Sequence, residues 1–455
     1  MNNFDLLIIG GGPGGYQAAE RAGANGLKTA LFEERALGGV CLNEGCIPSK
    51  TLLNAAKHCD HANHSEAFGV VTQGAYIDHP AVVARKNQVV ETLVAGVGLK
   101  MKKGGVTVVA ARGVITGKGS EGFQVTAGGE VYTGKNLIIA SGSVVATPPI
   151  PGLKEGLASR FVLTSREILD IAAPPKNLVI IGAGVVGLEM AAYFSTAGSA
   201  VTVVEALDKI AGPTDTQISA LLQRELEKKG IAFHLGTMVS EITAGEVRCR
   251  QGEQTHAIPA DKVLLCTGRR PAIEGLGLES IGVYTESGAI ATDAHLRTNL
   301  PGVYAVGDVN GKYMLAHTAY REAEVAVNHI LGKRDNMRYG AVPSVIYTSP
   351  EVAGVGLSED CAKQRGRDVE IVRVPMQYSG RYMAETAGEE GLCKLVVDKK
   401  NRKLLGVHLL CPYASEIIYG AALMLEMRLD IDEIRELIFP HPTVGEVIRE
   451  GLFMV

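Results

Sequence analysis

The chain has 455 residues, 46% of them hydrophobic and 21% charged, a globular balance that excludes extended disorder and leaves room for three or four domains at roughly 100–200 residues each. A net charge of −4 excludes the basic footprint of a nucleic-acid binder, and no polybasic run suits an anionic membrane surface. No apolar stretch reaches the ~18 residues of a membrane-spanning helix. Met1-Asn2-Asn3-Phe4-Asp5 runs straight into Leu6-Leu7-Ile8-Ile9 without a positively charged leader, so a cytoplasmic protein is expected.

The first informative element repeats. Residues 6–33 (LLIIGGGPGGYQAAERAGANGLKTALFE) and 178–205 (LVIIGAGVVGLEMAAYFSTAGSAVTVVE) superpose without a gap. Each reads as an apolar strand, a G-x-G-x-x-G turn, a helix and a second strand ending in an acidic residue. The glycines are Gly10, Gly12 and Gly15, then Gly182, Gly184 and Gly187; the acidic residues are Glu33 and Glu205. The first glycine makes the tight turn, the second admits a pyrophosphate against the backbone, and the third lets helix and strand pack closely. The pyrophosphate meets the unpaired N–H groups of the helix N-terminus, and the carboxylate receives the ribose hydroxyls. Glu205 would repel a 2′-phosphate, so NAD is favoured over NADP. Two such units in one chain predict two redox cofactors exchanging a hydride, a tightly held flavin and a diffusible nicotinamide.

Next comes Gly38-Gly39-Val40-Cys41-Leu42-Asn43-Glu44-Gly45-Cys46-Ile47-Pro48-Ser49-Lys50. Residues five apart on a regular helix are about 140° out of phase, so Cys41 and Cys46 can bond only where the backbone is irregular, which Gly45 permits. Pro48 suits a first helical turn, placing Cys46 near a helix N-terminus where a thiolate is stabilised. Cys41, further out on the loop, is the better sulfur for exchange with an external substrate. A metal site and a purely structural disulfide remain the alternatives. His58, Cys59, His61 and His64 read as a solvated helix rather than ligands, and no metal is expected. The remaining cysteines, Cys249, Cys266, Cys361, Cys393 and Cys411, are scattered and read, like Cys59, as small buried hydrophobes.

Near the C-terminus, His441 stands between Pro440 and Pro442, which stiffens its backbone and makes a cis X-Pro bond plausible. Histidine suits general-base work near neutral pH, and Glu446 is the candidate carboxylate to orient it. Thr443-Val444-Gly445-Glu446 also matches a capping box opening the last helix.

Together these segments resemble the pyridine nucleotide–disulfide oxidoreductases. The resemblance continues through TGRRP (267–271), YAVGDV (304–309), MLAH (314–317), PSVIYTSPEVAGVG (343–356), LLGVHLLCPYASEII (404–418) and HPTVGE (441–446). It implies that Cys41 and Cys46 form a redox-active disulfide and that His441 and Glu446 are the catalytic base and its orienting partner. On the FAD side it implies Lys50 near the flavin ring, Gly113 and Ser141-Gly142-Ser143 as backbone contacts, and Asp308 on the ribityl and phosphate region. Met314, Leu315, Ala316 and His317 would form the turn and helix N-terminus facing the flavin pyrimidine. On the NAD side it implies Glu189, the carboxylate paired with Lys50, together with Gly268 lining the nicotinamide and Val239 touching adenine.

The implied reaction is oxidation of protein-bound dihydrolipoamide with reduction of NAD+, in a homodimer whose His441 serves the partner's disulfide. The implied partner is a lipoyl-bearing protein of a 2-oxoacid dehydrogenase or glycine cleavage complex. Another disulfide reductase of the same family, or a flavin-bound scaffold without turnover, is the competing expectation. Phe439-Pro440, Gly445 and a short loop between Glu33 and Cys41 depart from the family pattern and bear on substrate fit and flavin tuning. The expected fold is α/β, with two Rossmann-like dinucleotide-binding domains and a C-terminal α+β dimerisation domain. Residues 1–143 and 266–338 would form the FAD-binding part, 144–265 the NAD-binding domain and 339–455 the dimerisation domain. The last contains strands at LCKLVVD and LLGVHLL and helices at ASEIIYGAALMLEM and DIDEIRELIF.

Overall fold

The computed structural model describes residues 2–455. The chain forms two compact units, one from Met1–Ser49, Ala84–Thr147 and Gly268–Arg338, the other from Lys50–Val83, Pro148–Thr267 and Tyr339–Val455.

The first unit is built on a parallel sheet in the order Thr107–Val109, Thr29–Phe32, Asn2–Ile9, Glu130–Ile139, Val303–Ala305. Leu6, Leu7 and Ile8 are fully buried, as an apolar run in a parallel sheet covered on both faces requires. The first half of Glu130–Ile139 pairs instead with Gly122–Ala127, which pairs with Val114–Gly119 in an antiparallel extension.

The second unit repeats the plan. Its parallel sheet runs Ala232–His234, Ala200–Val204, Asn177–Ile181, Lys262–Leu265, Val162–Leu163. The fifth strand comes from far downstream in the first unit and from just upstream in the second, so the two sheets share a strand order without sharing every connection. The antiparallel strands Met238–Thr243, Glu246–Gln251 and Gln254–Pro259 form a separate sheet here.

The second unit also contains an antiparallel sheet ordered Ser344–Ile346, Glu351–Gly356, Leu404–Cys411, Leu392–Asp398, Val369–Pro375. All seven residues of Leu392–Asp398 are buried, including Lys394 at 2% exposure. A buried ammonium needs full pairing. Lys394 Nζ donates to both Asp215 oxygens at 2.9 and 2.8 Å and pairs with Glu359 at 2.6 Å. Asp215 also caps the helix Thr216–Lys228, accepting from Gln217 and Ile218 N–H. The helix Ala414–Glu426 buries Ile418 and Ala421, yet Tyr419, Leu423 and Met427, spaced four apart, stay exposed as an apolar stripe. The expected helix over 430–439 is shorter, ending at Arg435; beyond it Ile438 is 98% exposed. Cys59, Cys249, Cys393 and Cys411 are buried as expected, whereas Cys266 and Cys361 are only half-buried.

Candidate functional site

The two glycine loops have the same geometry. Gly10 and Gly182 have φ of +101° and +105°, and a Cβ at either would strike the carbonyl ending the neighbouring strand, Ala140 or Cys266. Only glycine fits such a site. Gly12 and Gly184 cap the helices Pro13–Ala24 and Val185–Thr196 with extended backbone and no side-chain cap, so the first-turn N–H groups stay open to a ligand. Gly15 and Gly187 press against the carbonyls of Gly10 and Gly182.

Glu33 accepts from Gly11 N–H at 2.7 Å and Arg35 N–H at 2.8 Å; Glu205 accepts from Ala183 N–H at 2.7 Å and Leu207 N–H at 2.9 Å. The two clasps occupy equivalent positions of the repeat. Burial pushes the Glu33 carboxyl above its ordinary value, with the Gly11 N–H pulling the other way.

Cys41 lies on a short helix, Gly39–Glu44, rather than on the expected loop. Asn43 fixes that helix by donating to the carbonyls of Leu37 (3.1 Å) and Gly39 (2.9 Å), and Glu44 pairs with Arg35. Gly45 breaks the helix, and a second one, Cys46–Asn63, starts at Cys46 itself. The break brings the two Cα atoms to 4.7 Å and the sulfurs into a disulfide. Cys46 therefore occupies the first position of a long helix, where the macrodipole favours negative charge.

One turn along, Lys50 Nζ donates to both oxygens of Glu189 at 3.0 and 2.9 Å. Glu189, on the helix Val185–Thr196, has a 3% exposed side chain and also accepts from Tyr347 N–H at 3.1 Å. The ammonium sits 4.4 Å from the Tyr347 ring centroid.

Ser143 Oγ donates to Asp308 at 2.5 Å, and Arg269 holds Ser143 through Nε to Oγ and Nη2 to the carbonyl, both at 2.7 Å. Ser141 Oγ donates to the Ala272 carbonyl at 2.8 Å, and Gly142 takes up φ of +74°. The fully buried Glu322 accepts from Gly307 N–H at 2.6 Å and Asn310 Nδ2 at 2.8 Å, fixing the turn that carries Asp308. Met314–His317 form the entry to the helix Ala316–Ile330, with Leu315 as its cap. Gly113 abuts Phe32, at the end of the second strand of the same sheet. Gly268 stands in the first unit with φ of +103°, and Val239 in the second, on the strand Met238–Thr243.

His441 Nδ1 is 2.7 Å from Glu446 Oε2; the imidazole is 78% exposed and the carboxylate 11%. A ring donating from Nδ1 to a carboxylate presents its lone pair at Nε2. The capping box does not form: Thr443 makes no cap, donating to the Pro440 carbonyl at 3.0 Å, and Glu446 is committed to His441. The His441–Pro442 bond is cis.

The family model for pyridine nucleotide-disulphide oxidoreductases matches residues 4–323, and that for the family's dimerisation domain matches 342–452. The chain belongs to the pyridine nucleotide-disulphide oxidoreductases. Within the family it is 37% identical to dihydrolipoyl dehydrogenase of Rhizobium etli, over 99% of this chain and 97% of that one. It is 40% identical to the mitochondrial dihydrolipoyl dehydrogenase of Pisum sativum over 98% and 90%, and 38% to leghemoglobin reductase of Glycine max over 98% and 86%. The HOCl-induced flavoprotein disulfide reductase RclA from Escherichia coli superposes with a TM-score of 0.87 at 26% identity, covering 99% of this chain and all of that one.

Membership brings the cofactors FAD and NAD, and the chain's own atoms fit them. Each glycine loop is a cradle that a Cβ would fill, each opens on uncapped helix N–H groups, and each ends in a fixed carboxylate. Sequence reasoning missed Arg269, Glu322, Asn43 and Tyr347. Arg269, Asn43 and Tyr347 had a local signal, since they lie inside TGRRP, the Gly38–Lys50 segment and PSVIYTSPEVAGVG; Glu322 had none. No helix is long and apolar enough to cross a membrane, and no metal-ligating cluster occurs among the described residues.

Proposed function

We propose that the chain oxidises a dihydrolipoyl group to its cyclic disulfide and reduces NAD+ to NADH. The observation that carries this reading is the Cys41–Cys46 disulfide at the N-terminus of Cys46–Asn63, in a chain that also presents an exposed imidazole–carboxylate pair. His441, oriented by Glu446, removes a proton from a substrate thiol through Nε2. The resulting thiolate attacks Cys41 Sγ; the disulfide breaks, and the Cys46 thiolate leaves into the positive field of the helix N-terminus. The second substrate sulfur, once deprotonated, displaces Cys41 from the mixed disulfide and closes the substrate ring. The two electrons now reside on Cys41 and Cys46. FAD, when bound, supplies the conduit from this dithiol to the nicotinamide.

In this reading Gly10, Gly12, Gly15, Glu33, Gly113, Ser141–Ser143, Asp308 and Met314–His317 hold FAD, and the Glu189-paired Lys50 lies at its ring. Gly182, Gly184, Gly187, Glu205, Val239 and Gly268 serve NAD. Residues 1–143 and 266–338 make up the FAD-binding part, 144–265 the NAD-binding domain and 339–455 the dimerisation domain. The matched dimerisation domain supports a homodimer. The exposed apolar stripe Tyr419, Leu423 and Met427 supports it as well, and His441 would work on the disulfide of the second copy. The partner is a lipoyl-bearing protein of a 2-oxoacid dehydrogenase or glycine cleavage complex, met in the cytoplasm, where a reducing milieu suits an exchangeable disulfide.

The test is NADH formation by the purified, flavin-loaded chain given dihydrolipoamide and NAD+. Absence of NADH, together with turnover of NADPH and a small-molecule disulfide, would replace this reading with that of a different reductase of the family.

A further inference from the structure

We propose that the first unit carries a separate site for a phosphate-bearing small molecule of nucleotide size, in a cavity of about 760 Å³ at the C-terminal end of the helix Ala316–Ile330. That volume lies within the roughly 300–1,000 Å³ of ordinary small-ligand pockets. Arg321, Lys333, Arg334 and Arg338 line it against one carboxylate, Asp335, in a chain whose net charge is −4. The positive charge there is local, not a background property of the surface.

The carboxylate does not neutralise Lys333 or Arg334, because it is already committed. Arg321 grips Asp335 with both terminal nitrogens, at 2.9 and 2.5 Å; Asn328 Nδ2 donates to it at 2.7 Å and Asn336 N–H at 2.9 Å. The Arg321 hydrogen bond is the largest influence holding the Asp335 carboxyl down at about 2. Other nearby carboxylates are engaged too: Asp293 by Arg297 at 2.7 Å and Glu324 by Arg321 at 3.5 Å.

Lys333 Nζ has only the neutral amide oxygen of Asn25, at 3.3 Å, and the exposed Arg334 makes no ion pair or side-chain hydrogen bond among the described residues. The helix end leaves few open carbonyls to face an anion. The carbonyls of Val327, Asn328 and His329 are taken by the N–H groups of Leu331, Lys333 and Gly332 at 3.0, 2.9 and 3.0 Å.

Two imidazoles complete the wall. The rings of His295 and His329 lie 5.1 Å apart at 34°, their Nδ1 atoms held by the Asp335 carbonyl at 2.7 Å and the Tyr304 hydroxyl at 2.9 Å. Neither Nε2 has a hydrogen-bond partner among the described residues. Phosphate oxygens would meet Lys333 and Arg334, and a flat base would find the tilted imidazole pair. None of these residues takes part in the sulfur or nucleotide chemistry above.

The experiment is calorimetric titration of the full flavin-loaded protein, its NAD site saturated with NAD+, with inorganic triphosphate and separately with ATP. Binding is expected, and Lys333→Gln and Arg334→Gln should each weaken it about tenfold, as loss of one charged hydrogen bond predicts. Both substitutions lie on the exposed surface, so melting temperature and NADH formation should stay at wild-type values. ATP binding more tightly than triphosphate would place the base on the imidazole pair; equal affinities would confine recognition to the phosphates, and both results support the site. No binding, binding abolished by NAD+, or binding unmoved by either substitution would overturn it.

Discussion

Replacing Glu446 by Gln tests the imidazole–carboxylate pair most directly. The side chain keeps its size and an acceptor oxygen for His441 Nδ1, now 2.7 Å away, but loses the charge. A hydrogen bond to an ionised partner contributes roughly 1.5–3 kcal/mol and a neutral one about 1. The loss is then about 0.5–2 kcal/mol, or a fall of about 2- to 30-fold in kcat at 1.36 kcal/mol per decade. The imidazole is 78% exposed, so water competes for Nδ1 and the lower part of that range is expected. Glu446→Ala removes the acceptor altogether and should lower the rate further. Stopped-flow or steady-state NADH formation from dihydrolipoamide measures both. NADH-driven reduction of ferricyanide, which draws electrons without the sulfur pair, should remain at the wild-type rate. In a His441→Ala background, Glu446→Gln should add nothing. An unchanged dihydrolipoamide rate in Glu446→Gln, or fully additive losses in the double variant, would refute the reasoning that the carboxylate works through the imidazole.

Reduction of the wild-type protein by one equivalent of dithiol should raise its titratable thiols by two, whereas Cys46→Ser should show no such rise and no dihydrolipoamide turnover; retention of turnover would remove the disulfide from the mechanism. Gly182→Ala drives a methyl group onto the Cys266 carbonyl at φ of +105°, so KM for NAD+ should rise by at least an order of magnitude while flavin content stays constant, as absorbance on the purified protein will show. Lys394→Met leaves Asp215 as an unpaired, fully buried charge, and thermal or denaturant melts should show a loss of about 3–5 kcal/mol. Glu359 is held at about 2 from an ordinary 4.5, with burial opposing and the bonds from Lys363 and Lys394 prevailing; its contribution to stability is therefore full above about pH 4.5 and disappears as pH falls toward about 2, and a melt series over that window that stays flat would contradict it.

The repeat was legible because its signals are local. A glycine at a fixed spacing states where the backbone must turn and where a helix must approach, and both copies fold as their spacing implies. The pairing of Cys41 with Cys46 came from the family resemblance; the spacing itself said only that a bond requires an irregular backbone, which Gly45 permits. The short helix under Cys41 was not legible, because Asn43 reaching back to Leu37 and Gly39 supplies support that helix propensity alone does not reveal. Thr443-Val444-Gly445-Glu446 shows the opposite failure: a strong local pattern was overridden because Glu446 had a better partner in His441. The buried set Lys394, Asp215 and Glu359 left no trace in sequence, since Lys394 and Asp215 stand 179 residues apart and a lysine in LCKLVVD reads as a solvent-facing position. The grip of Arg269 on Ser143 and the hold of Glu322 on the Asp308 turn were hidden likewise, since each joins segments apart in the chain.

The matched clasps of Glu33 and Glu205 have a consequence for exchange rates. Each carboxylate is immobilised by two amides of its own backbone, so its rotational freedom is surrendered when the polypeptide folds and not again whenever a dinucleotide docks. For a permanently held prosthetic group that distinction matters little. If Glu205 serves the nicotinamide as proposed, a wall that never needs to re-form would permit rapid turnover of the guest without loosening its recognition.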